Sequence, residues 1–378
     1  MRSLKNERAG FNITTSCDNP IEGLTHMFVD MVQKRRVEEQ GQCPARRPVF
    51  LRTHGIIRGH IEILDDIPAD YKQGMFACTG QHPVYVRYSS DLADGRPDWK
   101  STIGIGIKMF DIPGQKVVSD DDANVADLLL QNVPFFFVDT ARDMCAFTKA
   151  SFEGWADEWV QENSPQTNIL LDEMAKPIRS VFDTSLWSVV PFKLGDNHYC
   201  KYIVRPGTST FADEVNTDDP DFLRKDLIAR MAAGEASLDI FIQKRPDVAE
   251  YGEAYLDEHF PLDRATVVWD EKEAPPLKVA QIHLPQQDIA TAEQEIYGDW
   301  LAFNIGRVPQ ENAPVGSVAE ARMVVYKIAA DYRRETNGQP LEQPSQPGLP
   351  EIKNPVCPFP FQKPAAEQIG RASCRERV

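Results

Sequence analysis

Between residues 49 and 284 the apolar residues fall into short runs of period two, broken by turn dipeptides, and this pattern limits the fold more than any other feature. Side chains of a strand alternate between faces, so such runs read as strands buried on one side. The pattern predicts strands at 49–52, 60–63, 84–89, 103–110, 199–204, 238–243, 265–269 and 279–284. Asp94-Gly95, Pro113-Gly114 and Pro206-Gly207 supply turn chemistry between them. Apolar spacing of three and four predicts helices at 21–40, 141–156, 166–182, 221–233 and 318–334. Strands, a helical insertion, further strands and a last helix make an α+β chain. Hairpin-like spacing favours an antiparallel sheet that closes as a barrel over a parallel doubly wound one.

Composition excludes several classes. A formal net charge of −16 argues against nucleic acid or an anionic membrane surface as partner, because both require concentrated positive charge. No apolar stretch reaches membrane-spanning length, and residues 1–7 show no apolar signal region. The seven cysteines are odd in number, scattered and never spaced CxxC, which fits reduced thiols and a cytoplasmic location. Residues 1–48 read as a helical arm, 49–338 as the core and 339–369 as a proline-rich arm able to contact another subunit. Residues 370–378 read as vector-derived sequence.

The chemistry concentrates near the end of the core. In the helix at 318–334, Arg322, Tyr326 and Arg333 share one face, since positions four and seven apart do so. A tyrosine flanked by guanidinium groups is suited to act as an anionic oxygen ligand for ferric iron. The same spacing also occurs in ordinary amphipathic helices, so the choice depends on partners elsewhere. Two segments offer them: Arg52-Thr53-His54-Gly55-Ile56-Ile57-Arg58-Gly59, and Gln131-Asn132-Val133-Pro134-Phe135-Phe136-Phe137. Between them lies Val86-Arg87-Tyr88-Ser89.

Together these motifs resemble those of the haem catalases, in particular the short, catalase-related type that includes minimal catalase/peroxidases and coral allene oxide synthase. His54 followed by Gly59, the Val86-Arg87-Tyr88-Ser89 strand, Asn132 with Pro134 and its aromatic run, and Arg322…Tyr326…Arg333 occur in the family's order. The resemblance implies a closed antiparallel β-barrel with surrounding helices, a C-terminal helix carrying the proximal ligand, haem b as cofactor and a homo-oligomer. It implies Tyr326 as the iron ligand, held by Arg322, with Arg87 and Arg333 at the propionates and Phe147 against the porphyrin. On the distal side it implies His54 as acid/base, Asn132 as the donor that holds peroxide and Ser89 as the group fixing the imidazole.

The chain departs from the pattern at two points. An arginine is expected three residues before the histidine, but that position is Leu51; Arg52 is one step off and would face the other way. Thr53 replaces an aliphatic residue, and its hydroxyl would compete for hydrogen bonds with the imidazole or ligand. The expected function is therefore decomposition of hydrogen peroxide by a catalase or peroxidase reaction through a ferryl intermediate. A fatty-acid hydroperoxide isomerase or lyase is the enzymatic alternative, with an organic hydroperoxide as substrate, and a haem carrier or sensor is the non-enzymatic one.

Overall fold

A computed structural model of the chain describes residues 12–91, 97–118, 124–207, 218–344 and 346–347. The Asp94-Gly95 turn, Cys357, Cys374, the 370–378 segment and all but the start of the proline-rich arm lie outside these residues.

Nine strands form one antiparallel sheet: β1 (Arg52–Ile63), β2 (Gly80–Ser90), β3 (Ile103–Phe110), β4 (Val125–Gln131), β5 (Leu186–Trp187), β6 (Phe192–Leu194), β7 (His198–Pro206), β8 (Ala236–Lys244) and β9 (Leu277–Leu284). Their order is β5-β4-β3-β2-β1-β9-β8-β7-β6. A further pairing of β5 with β7 closes eight of them into a barrel, and β6 hangs on β7 as an outer strand. The predicted strand at 103–110 coincides with β3. Of the run expected at 49–52 only Arg52 is in a strand; β1 starts there and continues through the run at 60–63, with a bulge between Thr53 and Gly55. Residues 265–269 form no strand: Ala265 exchanges backbone hydrogen bonds with Asp139 and Phe136 in a loop, and Trp269 packs on Phe260.

Alternation sorts the strands into two faces. Ile57, Val86, Ile105, Leu128, Tyr202 and Ile240 belong to the barrel core and are at most 2% exposed. Filling a small barrel with branched side chains leaves no lumen for a ligand. The opposite parity, which carries Arg87 and Ser89 on β2 and Leu129 and Gln131 on β4, forms the outer wall. Any site built on these strands therefore lies outside the barrel, between the wall and the helices.

Five helical elements matter for that space: α1 (Pro20–Thr25), α2 (Ala141–Glu153), α3 (Phe222–Ala233), α4 (Ala292–Trp300) and α5 (Ser317–Thr336). The chain after α1 continues as a π-helix over His26–Lys34. A reciprocal capping box between Thr140 and Asp143 starts α2, satisfying backbone N–H groups that helix ends leave unpaired. Gly316 precedes α5 at φ 94°, where a Cβ would meet the Leu262 carbonyl at 2.6 Å. That approach aims α5 across the outer wall. The segment at 12–38 then packs on α2 and α5 through Leu24, Met27 and Val32.

Two cysteines correct the expectation of reduced thiols. Cys17 and Cys145 form a disulfide with Cα atoms 5.7 Å apart, although 128 positions separate them in sequence. Sequence scatter hides this pairing, since only the packing of the N-terminal segment on α2 brings the two together. Cys43 is also disulfide-bonded, whereas Cys78 and Cys200 carry free thiols. The thiol argument for a cytoplasmic location therefore no longer stands. No described helix is long and apolar enough to cross a membrane.

Candidate functional site

The outer wall, α5, α2, α1 and the loop after α4 enclose a cavity with about 240 Å³ open to the centres of water molecules. A single water needs only about 10–15 Å³ on that measure, so the space suits a ligand. One face of α5 lines it with Ala321, Arg322, Val325, Tyr326, Ala329 and Arg333. Arg322 donates from Nε to Tyr326 Oη at 3.1 Å, and its guanidinium stands 5.3 Å from the ring centre.

One end of the cavity is strongly cationic. Arg87 and Arg333 are 5% and 2% exposed, and Arg47 joins them with a side chain 16% exposed. Arg87 donates to Ser89 Oγ at 2.8 Å, Thr53 Oγ1 at 2.7 Å and the Phe50 carbonyl at 3.2 Å, but its Nε has no partner. Arg333 donates one bond, to the Leu301 carbonyl at 3.2 Å; its Nε and Nη1 have none. Arg47 holds the carbonyls of Gly298 and Leu301, with Asp299 at 3.5 Å. Burial, then the neighbouring guanidinium groups, holds Arg87 and Arg333 well below the usual arginine range. Among the described residues Arg87 and Arg333 have no carboxylate partner and Arg47 has Asp299, while Asp91 also lines the cavity; a cluster of buried cations so weakly compensated is one that anions would complete. The two propionates of a haem would supply that charge, and the Arg322-held phenol would supply an oxygen for ferric iron, so the donor set fits a haem.

The wall behind this end rests on a buried ion network. Asp127 accepts from Lys108 Nζ at 2.6 Å, from Arg307 Nη1 at 2.6 Å and from the Asn304 amide at 3.0 Å. Burial pushes the Lys108 ammonium down to about 8. The network pins the loop whose Ala302 and Phe303 line the cavity.

The residues expected on the distal side lie elsewhere. His54 is fully buried and does not line the cavity. The β1–β2 register shifts between Thr53 and Gly55, so His54 is the extra residue of a bulge. Thr53 pairs with Ser89 on the outer face, and His54 turns to the inner face with Ser90. Its Nε2 lies 2.7 Å from Ser90 Oγ, and Nδ1 lies 3.5 Å from Asp98. Ser90 donates to the Asp98 carbonyl, and the Asp98 carboxylate accepts from the Leu223 and Arg224 amides at the start of α3. His54 thus secures the seat of a helix cap. Burial pushes its imidazole below the usual histidine range, more than Asp98 raises it.

The other distal expectations shift with it. Asn132 accepts from the Ile103 amide at 2.9 Å, closing the end of β3, and does not line the cavity. Ser89 lines the cavity beside Arg87 and makes no bond to His54, whose hydroxyl partner is Ser90. Thr53 orients Arg87 instead of touching an imidazole. Phe147 stands behind the wall, 5.0 Å from Phe137, which does line the cavity. Arg52 ion-pairs with Asp221, away from the arginine cluster. None of the seven histidines lines the cavity. The sequence reading missed Arg47, Phe50 and Gln131; the Arg46-Arg47 pair was the signal for the first, and a bulge at Thr53–Gly55 has no sequence signature.

A closed antiparallel barrel with a cavity between its outer wall and a C-terminal tyrosine helix is the catalase fold. Solved structures share it. A fungal catalase superposes with a TM-score of 0.61 at 20% identity, over 79% of this chain and 61% of its own. A bacterial catalase gives 0.59 at 19% identity, over 88% and 63%. Catalase A from Saccharomyces cerevisiae gives 0.59 at 18%, over 79% and 63%. The chain thus spans less than two thirds of each of these catalases. No protein-family model and no curated protein sequence matches the chain.

Proposed function

We propose that this chain binds haem b through Tyr326 and acts on peroxides as a haem-dependent hydroperoxidase. The observation that carries the reading is the Arg322–Tyr326 hydrogen bond at 3.1 Å on the helix face that lines the cavity. Arg47, Arg87 and Arg333 would hold the propionates, and the unpartnered Nε atoms of Arg87 and Arg333 support that role. Haem iron would supply the centre at which the peroxide O–O bond breaks. The chain's own residues anchor the cofactor, orient it and wall it from water with Phe136, Phe137 and Met144.

His54 is not proposed as the acid/base, because it is bonded to Ser90 and buried on the inner face. Without an imidazole at the cavity, moving a proton between the two oxygens of hydrogen peroxide is slow. Low oxygen evolution is expected, with peroxide consumed chiefly against a second donor or as an organic hydroperoxide. The same absence favours a second reading, a haem carrier. The test is to give haem-loaded protein hydrogen peroxide, then cumene hydroperoxide, against free haem at equal concentration. Consumption of either above the free-haem rate supports the enzyme; equal rates for both support the carrier.

A further inference from the structure

The barrel-side wall has a polar point beside an apolar ring. Gln131, the last residue of β4, pairs in register with Gly104. Gly104 has no side chain, and a Cβ there would lie 2.7 Å from the Phe50 ring. Phe50 and Gln131 therefore flank the same glycine, and both line the cavity. Phe50 reaches that place through a left-handed backbone at φ 51°, a conformation that costs a bulky residue about 1 kcal/mol or more. Its amide donates to Asp91 Oδ1 at 3.1 Å and its carbonyl accepts from Arg87, so the conformation is held from both sides.

The Gln131 carboxamide has a set orientation. Its Nε2 donates to the Phe135 carbonyl at 2.9 Å. A carbonyl only accepts, so the nitrogen must be the atom on that side and Oε1 the one left over. No described bond uses Oε1. Other uncharged polar groups of the wall are engaged: Ser188 donates to the Val190 carbonyl, Thr102 to the Met174 carbonyl, and Ser89 accepts from Arg87. A carboxamide cannot shuttle a proton at neutral pH, but its oxygen can accept a hydrogen bond from a ligand that carries O–H.

We propose that Gln131 Oε1 seats the O–H of an organic hydroperoxide or its alcohol product, whose carbon skeleton packs on Phe50, Phe136 and Phe137. The inference deepens the hydroperoxidase reading and rests on it. Hydrogen peroxide has no apolar surface to bury on this wall. Each methylene of an organic ligand contributes about fourfold in affinity when buried. Gln131 is a positioning residue: it orients the O–H and breaks no bond.

The test uses haem-loaded protein and two ligands of equal size, 1-hexanol and methyl pentyl ether, titrated by the change in haem absorption. Only the alcohol can donate to Oε1. The alcohol is expected to bind about fivefold tighter, the worth of one hydrogen bond. In Gln131→Met the preference is expected to vanish, with the ether's affinity little changed and the KM for cumene hydroperoxide raised. Equal binding of the two ligands by the wild-type protein would overturn the proposal, as would a preference that survives in the variant. If the variant does not load haem, the wild-type pair decides alone. A wild-type protein that takes up no haem fails the function and this inference together; a loaded protein indifferent to the hydroxyl fails only the inference.

Discussion

Arg322 donates its Nε–H to the Tyr326 hydroxyl oxygen across 3.1 Å, one turn along the same helix. A guanidinium has donors only, so the phenol oxygen must accept, and its remaining electron density is left for a second partner. Both side chains line the cavity, and Arg333 lies on the same face two turns on. The helix thus presents an oxygen ligand and a cation to one ligand-sized space.

Replacing Arg333 by Met is expected to have effects of opposite sign on the two states of the protein. Without haem, Arg333 is a buried cation with a single hydrogen bond, and a well-packed apolar replacement should stabilise the fold by about 1–4 kcal/mol. With haem, loss of a charge-assisted bond should weaken binding by roughly 10- to 100-fold. Thermal melting of the apoprotein and haem transfer to a strong acceptor protein measure the two. A variant less stable without haem and unchanged in haem affinity would remove Arg333 from the cofactor site.

His54 makes stability depend on pH with a defined sign. Burial lowers its folded pKa from the ordinary 6.5, so the native state keeps it neutral where the unfolded chain is already protonated. Its contribution is complete above about 6.5 and is lost as pH falls below that toward the folded value. Urea midpoints between pH 5 and 8 should fall on the acid side, and His54→Gln should flatten that slope while haem binding persists. A His54→Gln protein with the wild-type slope would show that other groups set it.

Thr53→Val is expected to act on the cofactor through Arg87. The hydroxyl accepts from Arg87 Nη2 at 2.7 Å, so its loss frees the guanidinium. Haem affinity should fall by about fivefold, the worth of one hydrogen bond, without the gain in peroxide turnover expected of a group beside an imidazole. Equilibrium haem titration and an oxygen electrode distinguish the two.

Reduction of Cys17–Cys145 should destabilise the protein by up to about 4–5 kcal/mol, since the bond closes a loop of 128 residues. Leu24 and Phe28, on the segment it tethers, line the cavity. Haem loss should therefore speed up in the Cys17→Ser protein with no reductant present, since Cys43 is disulfide-bonded as well and a dithiol would open both bonds. A Cys17→Ser protein with wild-type melting and haem loss would contradict this.

The barrel could be read from the chain because period-two runs report burial on one face, and Ile103–Phe110 is the clearest case. The tyrosine helix could be read because Arg322, Tyr326 and Arg333 share a face by spacing alone. What could not be read is parity at a bulge. One extra residue between Thr53 and Gly55 exchanges the faces of Thr53 and His54, and no residue type there announces it. Gln131 rather than Asn132 faces the cavity for a related reason: the last pair of the β3–β4 ladder, Gly104 with Gln131, sets which side chain looks outward. Arg47 lies just upstream of the Arg52–Gly59 motif but belongs to none of the motifs, and its hydrogen bonds to carbonyls at the end of α4 bring it to the cavity.

The most direct test of the central claim is the ferric absorption and electron paramagnetic resonance spectrum of haem-loaded protein, wild type against Tyr326→Phe. With Tyr326 as ligand, the wild type gives a high-spin ferric tyrosinate signature. The variant loses that signature and releases haem more than about tenfold faster, at least the range seen when a ligand's supporting partner is lost. Identical spectra and equal haem release in the two proteins would contradict it, because the iron would then be held by another residue.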